Sequence, residues 1–209
     1  MIELSHNELV HKALELDGNP EKVGEFYDGW AKDYKADTDH IRYEGPATIA
    51  ELLVKHVDPN ASIVDAGCGT GFVGQELSKR KYYNVYGFDL SREMAKIARE
   101  THCYNEVIGG VDIMEAIGMY ADEVFDAAVS VGVFTLGHVP PEALNVLVDL
   151  VFPGGIVIVS IRDLYNERTN IGQIIDNLVE NEKVEVLERI VGAPYSIDGA
   201  ADYWIFKKN

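Results

Sequence analysis

Cysteine and histidine are scarce in this 209-residue chain, and basic residues are outnumbered by acidic ones nearly two to one. The two cysteines, Cys68 and Cys103, have neither CxxC nor metal-ligand spacing, so both are expected to be reduced thiols in a reducing compartment. The six histidines form no HxxxH pair and no His–carboxylate cluster, and no metal is expected. No apolar run approaches the roughly 18 residues of a bilayer span, so no membrane partner is expected. The opening Met1-Ile2-Glu3-Leu4-Ser5-His6 lacks the basic head and apolar stretch of a secretory signal, which points to a cytoplasmic protein. Internal repeats, low-complexity tracts and linkers are absent as well.

Positive charge is the other shortage. The chain has 18 Lys and Arg against 35 Asp and Glu, a formal net charge of -17. A surface this negative repels phosphate backbones and argues against nucleic acid as a partner. The densest basic cluster, Lys79-Arg80-Lys81, is better read as the end of a helix, where cations oppose the negative end of the dipole. Hydrophobic content of 47% in a chain of this length supports a single domain with a substantial core.

From about Ala61 onward, short β-rich runs alternate with helical patterns, the signature of a parallel sheet with helices on both faces. Strands are expected at Ile63-Val64, Val85 to Phe88, Tyr104 to Ile108, Phe125 to Val131, Ile156 to Ile161, Val184 to Val191 and Tyr203 to Phe206. The fourth and fifth are nearly continuous apolar runs, as strands buried on both faces require. Helical stripes fall at Ile49, Leu52, Leu53 and His56, at Leu144, Leu147 and Val148 after Pro140-Pro141-Glu142, and at Ile171, Ile174, Ile175 and Leu178. Ser91 stands at an N-cap position ahead of Met94, Ile97 and Ala98. Asn19-Pro20-Glu21 opens a helix expected to carry Val23, Phe26, Tyr27, Trp30 and Tyr34, three of whose aromatics share one face. That helix either staples the sheet edge or forms a lid over a ligand mouth.

The chemistry centres on Ile63-Val64-Asp65-Ala66-Gly67-Cys68-Gly69-Thr70-Gly71, a strand running into a glycine loop and then a helix. Glycines let backbone approach a ligand without an intervening Cβ, and the helix N-terminus favours an anionic group. Asp89 ends the second strand, where a carboxylate can accept both hydroxyls of a ribose. The spacing is GxGxG rather than the GxGxxG of dinucleotide-binding folds.

The segment Val64 to Gly71 resembles the first motif of class I S-adenosylmethionine-dependent methyltransferases. Gly87-Phe88-Asp89-Leu90-Ser91 with Met94, Phe125-Asp126, and Phe152-Pro153-Gly154-Gly155 before strand five resemble that family's later motifs. Tyr27-Asp28-Gly29-Trp30-Ala31-Lys32-Asp33-Tyr34 and Val131 to Pro140 resemble, more closely, methyltransferase-like proteins related to the Williams-Beuren region 27 product. The resemblance implies a Rossmann-like α/β fold with a seven-stranded, mostly parallel sheet and an antiparallel last strand. It divides the chain into an N-terminal helical cap or lid over residues 1–42 and a methyltransferase domain over 43–209.

It also implies a set of contacts to S-adenosylmethionine. Gly67 and Gly69 would lay backbone against the methionine part, and Asp65 would orient its amino group directly or through water. Asp89 would hold the ribose, with Leu90 and Met94 flanking the adenine. Asp112 would accept from the exocyclic amine while Ile113 packs on the ring. Ser130 and Val131 would lie under the sulfonium, and Tyr34 would close over the methionine end. Asp65 and Asp112 have a competing reading as helix caps. The expected activity is methyl transfer to a small molecule, with His138 the best candidate for a base, if one is used, and Arg162, Asp163 and Tyr165 candidates for the acceptor pocket. The rivals are a nicotinamide-dependent reductase and a non-catalytic nucleoside-binding or interaction protein on the same scaffold.

Overall fold

The computed structural model describes residues 9, 12–120, 125–197 and 199–209. Met1 to His6, read above for a signal, lie outside them. The chain runs α1 (Pro20–Trp30), α2 (Tyr34–His40), α3 (Gly45–Val54), β1 (Ile63–Ala66), α4 (Phe72–Lys79), β2 (Val85–Asp89), α5 (Arg92–Glu100) and β3 (Glu106–Gly109). A 3₁₀ turn (Ile113–Glu115) and α6 (Ala116–Met119) follow, then β4 (Phe125–Phe134), α7 (Ala143–Asp149), β5 (Val151–Arg162), α8 (Asp163–Arg168), α9 (Ile171–Glu180), β6 (Val184–Ser196) and β7 (Gly199–Lys208).

The seven strands form one sheet in the order β3-β2-β1-β4-β5-β7-β6. The first five are parallel, and β7 runs antiparallel to both β5 and β6. Strand periodicity distributes the core to two faces. Ile63, Val85, Ala127, Val129, Ile156 and Ile158 meet α3 and α4 through Leu52, Leu53, Val73 and Leu77. Val64, Phe88, Ala128, Val157 and Val159 meet α7 and α9 through Leu144, Leu147, Ile175 and Leu178. Chain order reverses on either side of β1, which leads outward to β2 on one flank and to β4 on the other. A crevice opens at the carboxyl ends of strands at such a switch point.

Local chemistry sets the element ends. Asn19 caps α1 by accepting from Lys22 N–H, with Pro20 in its first turn. Ser91 caps α5 through Met94 N–H. Arg80, just past α4, donates to the Glu76 carbonyl and its carboxylate.

Several expected boundaries differ, β4, β6 and β7 among them running longer than expected. The aromatic helix ends at Trp30, and Tyr34 opens a separate helix; the break lets the Trp30 indole N–H reach the Asp37 carboxylate at 2.6 Å. Pro140 and Pro141 precede α7, whose first turn is closed by Ala143 N–H on the Pro140 carbonyl. Phe152 to Gly155 lies within β5, where the β4–β5 register shifts. Strand β3 starts at Glu106, because Tyr104 is turned inward to the glycine loop. No described helix is long and apolar enough to cross a membrane.

Candidate active site

At the switch point lies a cavity of about 120 Å³ whose floor is the glycine loop and whose walls come from β2, β4, α1 and α2. Gly67 adopts φ 75°, and a Cβ there would collide with the Val133 side chain, so only glycine lets the loop turn beneath β4. A Cβ on Gly69 would meet nothing within 4 Å; it would project into open space that a ligand can occupy.

Asp89 is the polar centre. Its Oδ2 accepts from Gly69 N–H at 2.7 Å and its Oδ1 from Ser91 N–H at 2.8 Å. A carboxylate has about four lone-pair positions, so each oxygen keeps one free to accept a further hydroxyl. Burial pushes the Asp89 carboxyl up to about 6, opposed by those two backbone donors. Around it, Leu90, Met94, Val111 and Ile113 make an apolar slot with Asp112 at its side. Asp112 also caps the 3₁₀ turn through Oδ1 on Met114 N–H at 2.9 Å. The two readings of Asp112 are therefore compatible, one oxygen serving the cap.

Tyr34, Gly67, Gly69, Asp89, Leu90, Met94, Asp112, Ile113 and Val131 all line the cavity. Asp65 and Ser130 do not. Ser130 is fully buried and donates to the Ala66 carbonyl at 2.8 Å, tying β4 to the end of β1. Asp65 is also fully buried, with Oδ2 accepting from the Tyr104 hydroxyl at 2.7 Å and Oδ1 without a partner. The Tyr104 oxygen in turn accepts from Gly74 N–H at 2.9 Å. The free amide expected at the α4 N-terminus is thus satisfied from inside the protein. Desolvation drives the Asp65 carboxyl up to about 7, partly offset by Tyr104 and reinforced by the charge of Asp89.

Several lining residues were not singled out for binding from the sequence. Val23 and Tyr27 come from α1, and Gly132, Val133, Val139 and Pro140 from the β4 exit, beside the base candidate His138, which also lines the cavity. The aromatic stripe was the signal for Tyr27, but its target depended on where α1 docks. Asp28 of α1 accepts from the Ser91 hydroxyl at 2.6 Å and from Glu93 N–H at 3.0 Å, fastening α1 to the start of α5. Gly18 N–H donates to the Gly137 carbonyl at 3.0 Å on the other side. Of the acceptor-pocket candidates, Tyr165 is buried with its hydroxyl on the Val139 carbonyl at 2.8 Å, and Asp163 is exposed. Arg162 stacks on Tyr195 at 4.4 Å and has a buried Nη1 without a partner.

The sheet order, the antiparallel seventh strand and the cavity at the switch point define the fold of the S-adenosylmethionine-dependent methyltransferases. Residues 64–159, a little under half of the chain, match the model of the methyltransferase domain family. It is 26% identical over 164 residues to the 2-methyl-6-phytyl-1,4-hydroquinone methyltransferase of Synechocystis sp., covering 67% of this chain and 51% of that protein. It is 27% identical over 141 residues to the carboxy-S-adenosyl-L-methionine synthase of Hydrogenovibrio crunogenus, covering 62% of this chain and 53% of that one. The chain thus spans about half the length of these curated relatives. Among solved structures, the magnesium protoporphyrin IX methyltransferase of Synechocystis with bound S-adenosylmethionine superposes over 100% of both chains, with TM-score 0.63 and 16% identity.

Proposed function

We propose that this protein transfers the methyl group of S-adenosylmethionine to a small-molecule acceptor. The observation that carries the reading is Asp89: a carboxylate beside a glycine loop, held by two backbone donors, with one acceptor position left on each oxygen for a ribose diol.

In this reading Gly67 and Gly69 present backbone to the methionine part, and Leu90, Met94 and Ile113 enclose the adenine. Asp112 accepts from the exocyclic amine, Val131 underlies the sulfonium, and Tyr34 covers the methionine end. Asp65 acts indirectly, holding the loop through Tyr104 and Gly74, and Ser130 by tying β4 to β1. Residues 1–42 serve as the cap and 43–209 as the catalytic unit. The Tyr27 to Tyr34 motif supports kinship with the Williams-Beuren region 27 type, because Tyr27 and Tyr34 line the cavity and Asp28 and Trp30 fix the two helices that carry them.

The bound cofactor supplies an activated methyl on a sulfonium. The protein's share is orientation, and holding nucleophile and methyl in line can lower the barrier by roughly 7–11 kcal/mol. The acidic surface disfavours nucleic acid, and the names of the relatives include methyltransferases of a hydroquinone and a porphyrin.

Calorimetry with S-adenosylmethionine and S-adenosylhomocysteine, on wild type and Asp89→Ala, tests the reading. Wild type should bind both and the variant should lose most of its affinity. No binding by wild type overturns the proposal. A screen of metabolites with methyl-labelled donor then identifies the acceptor.

A further inference from the structure

We propose that Tyr27 is a catalytic residue that takes a proton from a phenolic hydroxyl of the acceptor while handing its own to His138. The proposal rests on the methyl-transfer reading above and adds to it the chemical class of the acceptor.

The tautomer is set by geometry. His138 Nδ1 lies 2.9 Å from the Leu136 carbonyl, which can only accept, so Nδ1 carries the hydrogen. Nε2 then presents a lone pair, and the Tyr27 hydroxyl 2.6 Å away must donate to it. Both side chains line the cavity on its β4 side. A neutral imidazole that already receives a hydrogen bond from the hydroxyl of a cavity-lining tyrosine can act as a relay: its proton-accepting power is presented through Tyr27.

Among the described residues, the other titratable side chains lining the cavity are Tyr34, Asp89 and Asp112. Asp89 is engaged by Gly69 and Ser91 at the end of β2, and Asp112 caps the turn after β3. Tyr34 from α2 faces Tyr27 at 6.2 Å between ring centres. Burial holds His138 below its usual range, opposed by the Leu136 carbonyl, so the ring is neutral at neutral pH.

The step balances. As the acceptor oxygen's lone pair forms the new C–O bond, the S–CH₃ bond breaks and its electron pair stays on sulfur. The acceptor O–H proton moves to the Tyr27 oxygen, and the Tyr27 proton moves to His138 Nε2. One positive charge disappears at sulfur and one appears on the imidazolium, which later releases its proton to solvent. A phenolic hydroxyl with an ordinary pKa near 10 is ionised about once in a thousand molecules at neutral pH, so it gains from such a relay. General base catalysis contributes roughly 10²–10⁴-fold.

The test uses para-nitrophenol as the probe on the protein saturated with S-adenosylhomocysteine. The phenolate band is followed against pH, and the His138 ring is followed by NMR. The expected result is that bound para-nitrophenol ionises about one pH unit or more below its free midpoint while His138 takes on the imidazolium signature. Tyr27→Phe and His138→Gln should abolish the shift and still bind S-adenosylhomocysteine. An unshifted midpoint, a shift that survives Tyr27→Phe, a His138 that stays neutral beside bound phenolate, or no binding of the probe to the loaded protein each overturns the proposal. The NMR readout on wild type decides the matter even if a variant fails to fold. Failure of wild type to bind S-adenosylhomocysteine would instead remove the methyl-transfer reading beneath it.

Discussion

At the scale of single residues, two carboxylates on neighbouring strands carry opposite burdens. Asp89 must be ionised to accept from a diol, yet burial raises it to about 6. Affinity for S-adenosylhomocysteine should therefore be constant above pH 7 and fall as pH drops through about 6; calorimetry between pH 5 and 8 checks this. Asp89→Asn should cost about 10²-fold in affinity, given roughly 1.5–3 kcal/mol for a hydrogen bond to a charged group. Asp65 is the reverse case, a buried carboxylate with one oxygen unpaired. Its folded value of about 7 lies above the unfolded one, so the native state binds more protons between about pH 4 and 7 and loses stability as pH rises through that window. Asp65→Asn keeps an oxygen for Tyr104 and removes the charge. It should raise the melting temperature at pH 8, by the equivalent of a few kcal/mol at most, and flatten the pH dependence.

At the scale of elements, the α4 N-terminus and α1 are each held in place by one side chain. Tyr104 joins Gly74 N–H to Asp65 across the loop, so Tyr104→Phe leaves an amide and a carboxylate oxygen unpaired together. A loss of about 2–4 kcal/mol is expected in denaturant titration, larger at pH 8 than at pH 5, because each buried unsatisfied group costs about 1–3 kcal/mol. Asp28 fastens the cap helix to Ser91 and Glu93. Asp28→Ala should cost about 1 kcal/mol and speed amide exchange in α1 before it affects the sheet. Equal exchange in α1 and β4 would contradict that order. The helical and strand segments themselves were legible from periodicity, since apolar stripes at 3.6 or 2 residues report which face is buried. Their ends were less so. Trp30 closes α1 four residues before Tyr34 because of a hydrogen bond to Asp37 that no local pattern encodes.

At the scale of the whole molecule, a net charge of -17 on one domain means self-repulsion across the surface. Raising ionic strength from about 0.01 to 0.15 M shortens the screening length from roughly 30 to 8 Å. The melting temperature should rise over that range; a fall would show that surface attractions outweigh the net repulsion.

The glycine-loop and β2 side of the cavity was legible in the sequence because strand ends and glycine loops are local signals. Gly67, Gly69, Asp89, Leu90, Met94, Asp112 and Ile113 lie within three residues of element boundaries that periodicity already marks. Asp65 and Ser130 carried the same kind of signal and turned away from the cavity. Which way a buried polar side chain points is decided by its partner, and Tyr104 and the Ala66 carbonyl are partners supplied by packing. The N-terminal element α1 shows the same division. The helix was written in the chain, down to the Asn19 cap, but Tyr27 meets His138 across 111 positions. The sequence alone determined the sheet, the loop and the carboxylate at the end of β2, because backbone geometry and hydrophobic period act over a few residues. Only the tertiary structure decided what Asp65 holds and what Tyr27 touches, because a hydrogen bond between distant residues exists only once the core has brought them together.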